Sequence, residues 1–171
     1  MKNNKMLFCS HCSKICFFLG FSFLLSACTD GKETVYRYAG GEIRLETAGD
    51  SLSILLHIPR GSDANPSEFQ LPYPTFRLSC GDLTGDGIPE IGVGVIKRTR
   101  FSPEPDKRLF LFHLTDGNLI RPLWMGSHVG GRLDDFYISD ALIHTDEHNA
   151  ADSTFHRTYK LTSFGIKPVA L

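Results

Sequence analysis

From Thr34 onward, apolar and polar residues alternate with a period of two, the pattern of half-buried β-strands. Tyr36 and Tyr38, then Ile43 and Leu45, then Leu52, Ile54 and Leu56 mark three successive strands. Gly40-Gly41 and Ala48-Gly49-Asp50 supply the turns between them. Residues 59–74 carry four prolines and no periodicity, which predicts a long connection covering a sheet edge. Residues 75–80, 88–96, 108–114 and 119–124 then read as four antiparallel strands. They are joined by a tight loop at 81–87, a proline-containing turn at 101–106 and a turn at 115–118. Strands at 133–139, 154–161 and 166–171 complete the chain, with Pro168 suiting an edge position. Only 141–148 admits a helix. The expected fold class is all-β, an antiparallel meander resembling a propeller blade or a small sandwich.

Ahead of the strands the pattern changes. Lys2, Lys5 and Lys14 precede or flank an apolar run at 15–25, well short of the roughly 20 residues that span a bilayer. The run closes on Leu25-Ser26-Ala27-Cys28, which resembles the lipobox of bacterial lipoproteins, where a cysteine receives a diacylglyceryl thioether before the leader is removed. The resemblance implies that residues 1–27 are a signal peptide and that Cys28 is the lipidated first residue of the mature chain. It also implies a short tether at 28–33 and a β domain at 34–171. Each buried methylene contributes about 0.8 kcal/mol, so two or three chains of palmitate length would hold the protein on a membrane permanently. Thr29, rather than aspartate, follows the cysteine; by analogy with enteric lipoproteins this points to the outer membrane of a two-membrane cell.

Removing 27 of 171 residues leaves 144, enough for one domain with its own core. Basic residues fall from 18 to 15 against 19 acids, giving a mature charge of −4. That balance argues against nucleic-acid binding, which calls for a basic face. Of five cysteines, Cys9, Cys12 and Cys16 lie in the leader and Cys28 is committed to lipid. Cys80 alone remains, so the mature chain has no intramolecular disulfide, and its place beside an apolar strand marks it as a buried hydrophobe.

The densest candidate chemistry is the loop Asp82-Leu83-Thr84-Gly85-Asp86-Gly87-Ile88-Pro89-Glu90. Side-chain oxygens stand at its positions one, three, five and nine, with glycine at six, an alternation that suits a Ca²⁺ ion wanting six to eight oxygens. An EF-hand is excluded: position twelve is Val93, and the exit is a strand rather than a helix. A strand, D-x-x-G-D-G-x-x-[DE] and an apolar strand together resemble the FG-GAP or VCBS-type repeat of β-propeller proteins, the integrin α-subunit family among them. The resemblance covers about residues 75–125. It implies Ca²⁺ held by the carboxylates of Asp82, Asp86 and Glu90, the hydroxyl of Thr84 and the carbonyl of Ile88. Thr84 and Glu90 replace the family's commoner Asn or Asp and Asp, the chain shows no second copy of the loop, and 144 residues are too few for a closed propeller. Aspartate hydrogen bonds alone can also close such a turn.

His144-Thr145-Asp146-Glu147-His148 fits H-x-x-E-H, in which two histidines on one helical face bind zinc and the glutamate activates water. A polar hairpin tip fits the same letters. Lys97, Arg98, Arg100, Lys107 and Arg108 bracket a turn with Glu104 and Asp106, a cationic hairpin that reads as solvated or as a contact for anionic lipid or a partner. The glycine-rich bend at 126–131 precedes Arg132, Asp134 and Asp135 and could close over a ligand. No nucleophile elbow, phosphate loop or dinucleotide fingerprint is present. The reading is a membrane-anchored binding or assembly module, without catalysis, whose partner is an envelope protein or glycan. A zinc hydrolase built on His144, Glu147 and His148 is the alternative.

Overall fold

The computed structural model describes residues 33–61, 65–100, 102–116, 118–126 and 129–170. Cys28 and the leader lie outside them. The described chain is all-β, with twelve strands in three four-stranded antiparallel sheets. Each sheet is a meander of consecutive strands, and none closes into a barrel or propeller. Sheet 1 holds β1 (Glu33–Tyr38), β2 (Gly41–Thr47), β3 (Ser53–Pro59) and β4 (Ser67–Leu71). Sheet 2 holds β5 (Thr75–Gly81), β6 (Glu90–Thr99), β7 (Ser102–Thr115) and β8 (Leu119–Met125). Sheet 3 holds β9 (Arg132–Ser139), β10 (Leu142–His148), β11 (Thr154–Thr162) and β12 (Gly165–Pro168). The first strands of the three meanders are neighbours, β1 beside β5 and β5 beside β9.

Sheet 2 is the middle layer, and its two faces are built differently. Ile91, Val93 and Val95 of β6, with Phe110, Phe112 and Leu114 of β7, join Ile43, Leu45, Leu55 and Leu71 of sheet 1 in one core. On the other face, Leu109 and Leu111 of β7 meet Leu133, Phe136, Ile138 and Ile143 of sheet 3. There β6 presents Gly92 and Gly94. A methyl group on Gly92 would meet Phe136 at 2.7 Å, and one on Gly94 would meet Phe76 at 2.6 Å. The absence of side chains on this face lets aromatic rings from β5 and β9 fill the space, and Phe76 and Phe136 meet edge to face with centroids 6.3 Å apart.

Four expectations are corrected. First, β3 buries Ser53, Leu55 and His57, not Leu52, Ile54 and Leu56, and Leu52 is 37% exposed. The polar pair turns inward because partners await it. Ser53 Oγ shares a hydrogen bond with Thr75 Oγ1 at 3.0 Å, and His57 lies between Tyr38 Oη at 2.9 Å and the Asn118 carbonyl at 3.2 Å. Burial holds the His57 imidazole below its ordinary pKa. Second, the connection at 59–74 contains β4, whose Phe69 packs on Phe112 with ring centroids 5.0 Å apart. Third, 102–106 is extended. Pro103 and Pro105 fall in the irregular stretch where Lys97 pairs with Asp106 but Thr99 with Ser102, so neither proline owes the ladder an N–H. Fourth, 142–148 is a central strand, not a helix. Pro168 does sit on an edge strand.

Candidate functional site

The loop at 82–90 joins β5 to β6, and its two ends are pinned on opposite sides of sheet 2. Leu83 enters the core shared with sheet 3, while Ile88 packs on the core shared with sheet 1. Gly85 and Gly87 have φ of +80° and +81°, a region that side chains disfavour. These turns aim successive backbone N–H groups at Asp82. Its Oδ1 accepts from Gly85 at 2.6 Å and Asp86 at 3.2 Å, and its Oδ2 from Gly87 at 2.8 Å. Those N–H groups, Gly87's foremost, hold the Asp82 carboxyl below the usual range. Asp86 Oδ1 accepts from the Ile88 N–H at 2.8 Å.

Glu90 behaves differently. It is only 4% exposed, and its Oε2 accepts from the Leu83 N–H at 2.6 Å while Thr84 Oγ1 lies 3.4 Å from Oε1. Burial pushes its carboxyl above the usual range, and the charges of Asp86 and Asp82 add to the push. The loop therefore gathers Asp82, Thr84, Asp86 and Glu90 within one another's fields. Among the described residues, no three His, Cys, Asp or Glu side chains group as a metal centre. The donor chemistry nevertheless suits a hard cation, since every candidate atom is oxygen. A carboxylate offers about four lone-pair sites, of which Asp82 uses three, Glu90 two and Asp86 one on the bonds described.

The zinc arrangement is not assembled. On strand β10, Ile143, Thr145 and Glu147 face the core, whereas His144 and His148 stand on the opposite face. Glu147 is fully buried. Thr145 Oγ1 donates to its Oε1 at 2.6 Å, Tyr159 Oη donates to the same oxygen at 2.7 Å, and the Gly131 N–H donates to Oε2. Tyr159 Oη in turn accepts from the Gly130 N–H at 2.7 Å. Gly130 and Gly131 thus hand two consecutive backbone N–H groups to a buried polar network. The histidines are engaged elsewhere: His144 stacks on Tyr137 at 4.6 Å, and His148 Nδ1 meets Asp134 Oδ2 at 2.5 Å.

The basic hairpin is also not simply solvated. Lys97 Nζ lies 4.7 Å from the Tyr73 ring centroid, and Lys107 Nζ donates to the Asp134 carbonyl at 2.7 Å. Arg108 is 3% exposed, with Asp106 Oδ2 3.8 Å from its Nη2. Arg77 of β5 forks onto Asp135 of β9, tying sheets 2 and 3. Cys80 is buried among apolar side chains, which pushes its thiol pKa far up and leaves it a hydrophobe, as expected.

One feature has no counterpart in the motif reading. An open cleft of about 330 Å³ lies where the end of β8 meets the β11–β12 hairpin, lined by Trp124, Val129, Arg157, Ile166 and Pro168, with Phe164 at its rim. Trp124 and Arg157 are 33 positions apart, so no local spacing reveals it.

The chain matches no family model, no curated protein and no solved structure.

Proposed function

We propose that this chain is a lipid-anchored protein of the cell envelope whose β domain serves as a non-catalytic binding or assembly module, with the 82–90 loop as a calcium-responsive clasp. The observation that carries the proposal is Leu25-Ser26-Ala27-Cys28 closing a short apolar run behind a lysine-bearing start. Further support comes from the fate of the general base that the zinc alternative requires, since Glu147 is enclosed by three donors in the core. On this reading the partner is another envelope protein or a glycan, met on the surface of a scaffold held to the membrane by Cys28.

If Ca²⁺ binds the loop, the carboxylates of Asp82, Asp86 and Glu90, the Thr84 hydroxyl and the Ile88 carbonyl are the groups that hold it. The ion would supply positive charge where three carboxylates now repel one another. Because the turn already closes through its own hydrogen bonds, calcium would reinforce it rather than fold it.

Cell fractionation tests the anchor. Wild type should stay in the membrane pellet through a high-salt and carbonate wash, and Cys28→Ser should be released; equal retention of both would refute it. Reproducible turnover of peptide or ester libraries by the purified chain would refute the non-catalytic part.

A further inference from the structure

The cleft between β8 and the β11–β12 hairpin has an uneven polarity. Trp124, Val129, Ile166 and Pro168 bring apolar side chains to it, Phe164 at the rim is fully exposed, and polar atoms make up more than half of the remaining exposed lining. Gly165 holds a φ of +110°, and a methyl group there would meet the Trp124 indole at 2.8 Å, so the indole is seated against bare backbone. Two polar side chains enter the cleft. Tyr159 Oη is already satisfied, donating to Glu147 and accepting from the Gly130 N–H and from Arg157. The Arg157 guanidinium stacks 5.0 Å from the Phe155 ring centroid and lies so close to Gly130 that any Cβ there would overlap it. Among the described residues no carboxylate forms an ion pair with Arg157, so its planar fork of donors has capacity left beside the apolar side chains of Trp124 and Ile166.

We propose that this cleft is a binding site for a small apolar carboxylate, whose hydrocarbon body lies on Trp124 and Ile166 and whose carboxylate is taken by Arg157. The volume, near the lower end of the roughly 300–1,000 Å³ of ligand pockets, favours a compact ligand over a long lipid. A guanidinium recognises a carboxylate through two parallel charge-assisted hydrogen bonds, and Gly130 and Phe155 crowd the Arg157 group and limit where it can move. The proposal deepens the binding-module reading by naming a ligand class, but it does not depend on the lipid anchor.

Trp124 is the only tryptophan of the chain, so its fluorescence reports on this cleft directly. The full chain on phosphatidylcholine vesicles should be titrated with 4-methylpentanoate and with its neutral amide, against empty vesicles. The acid should shift the emission saturably, with the amide at least about tenfold weaker. Arg157→Gln should bring the acid down to the level of the amide. Gly130→Ala should weaken the acid in the same direction while retaining every charge, because the new methyl displaces the guanidinium; melting curves check that both variants fold. Equal response to acid and amide, an acid response unchanged in Arg157→Gln, or no saturable response up to about 10 mM would each overturn the proposal. None of these results bears on the fractionation of Cys28→Ser, so the two readings fail separately.

Discussion

Two carboxylate sites in this molecule solve the same problem in opposite ways. Glu147 lies on the core side of a central strand and takes donors from three separate segments: Thr145 beside it, Tyr159 on β11 and Gly131 in the preceding bend. The 82–90 loop takes its donors from itself, with Asp82 drawing on three N–H groups within five residues. The first site is a tertiary object that holds sheet 3 together. The second is a turn that satisfies its carboxylates locally, although Leu83 and Ile88 pin its ends in the two cores. Glu147 is thus enclosed by the core, whereas the loop keeps Asp82 and Asp86 at the surface with Glu90 buried beneath them.

The largest expected effect separates them. Glu147→Ala removes the acceptor that the Tyr159 hydroxyl and the Gly131 N–H share, while Thr145 Oγ1 keeps the Arg157 carbonyl at 3.2 Å, and the loss costs about 3 kcal/mol in urea unfolding. Loss of less than about 1 kcal/mol would mean that the network is already open to water.

Calcium should then act on the loop alone. With a dissociation constant of about 1 mM, typical of extracellular modules, about 10 mM Ca²⁺ stabilises by about 1.4 kcal/mol, a few degrees in melting temperature. Magnesium should do less, because it dehydrates reluctantly. Asp86→Ala should abolish the response without touching the Glu147 network. If melting is unmoved by calcium after chelator treatment, the loop is a metal-free turn.

Tyr159→Phe should cost about 1 kcal/mol, less than the loss of Glu147, because one donor is removed and two remain on the carboxylate. A cost equal to that of Glu147→Ala would make the tyrosine, not the glutamate, the centre of the network.

The smallest effect is a pH dependence within the loop. Glu90 binds its proton more tightly in the folded chain than in the unfolded one, so its contribution is fully present below the ordinary carboxylate pKa of 4.5. It is lost as pH rises through the raised folded value. Asp82, shifted the other way, contributes above 3.8 and loses that contribution as pH falls through its lowered value. Glu90→Gln should therefore melt slightly higher than wild type at neutral pH without calcium, and should lose most of the calcium response. A lower melting temperature for Glu90→Gln would show that the Leu83 N–H needs a charged acceptor.

The contrast also explains what could be read from the chain before its fold. The loop was legible because all its determinants lie within nine residues. Strands β5, β6 and β8 were close to their expected positions because turns of glycine, aspartate and asparagine mark most of their ends, whereas β7 begins six residues before the expected 108 because its prolines read as a turn. The buried face of β3 was not legible: Ile54 and Leu56 carry the hydrophobic signal, but Ser53 and His57 find partners 20 or more positions away in Tyr73, Thr75 and Asn118 or across the sheet in Tyr38. Likewise, H-x-x-E-H carries the same letters on a helix or a strand. Only the alternation Ile143, Thr145, Glu147 at period two hinted at β10, and its inward polar pair disguised that signal. The Arg157 cleft brings together β8 and the last hairpin, a juxtaposition that depends on sheet stacking alone.

The account rests most heavily on Cys28. Metabolic labelling with a radioactive fatty acid should mark the wild-type chain and leave Cys28→Ser unlabelled, because only the thiol forms the thioether. Equal label in both would contradict lipidation at Cys28 and remove the basis for placing this β domain on a membrane.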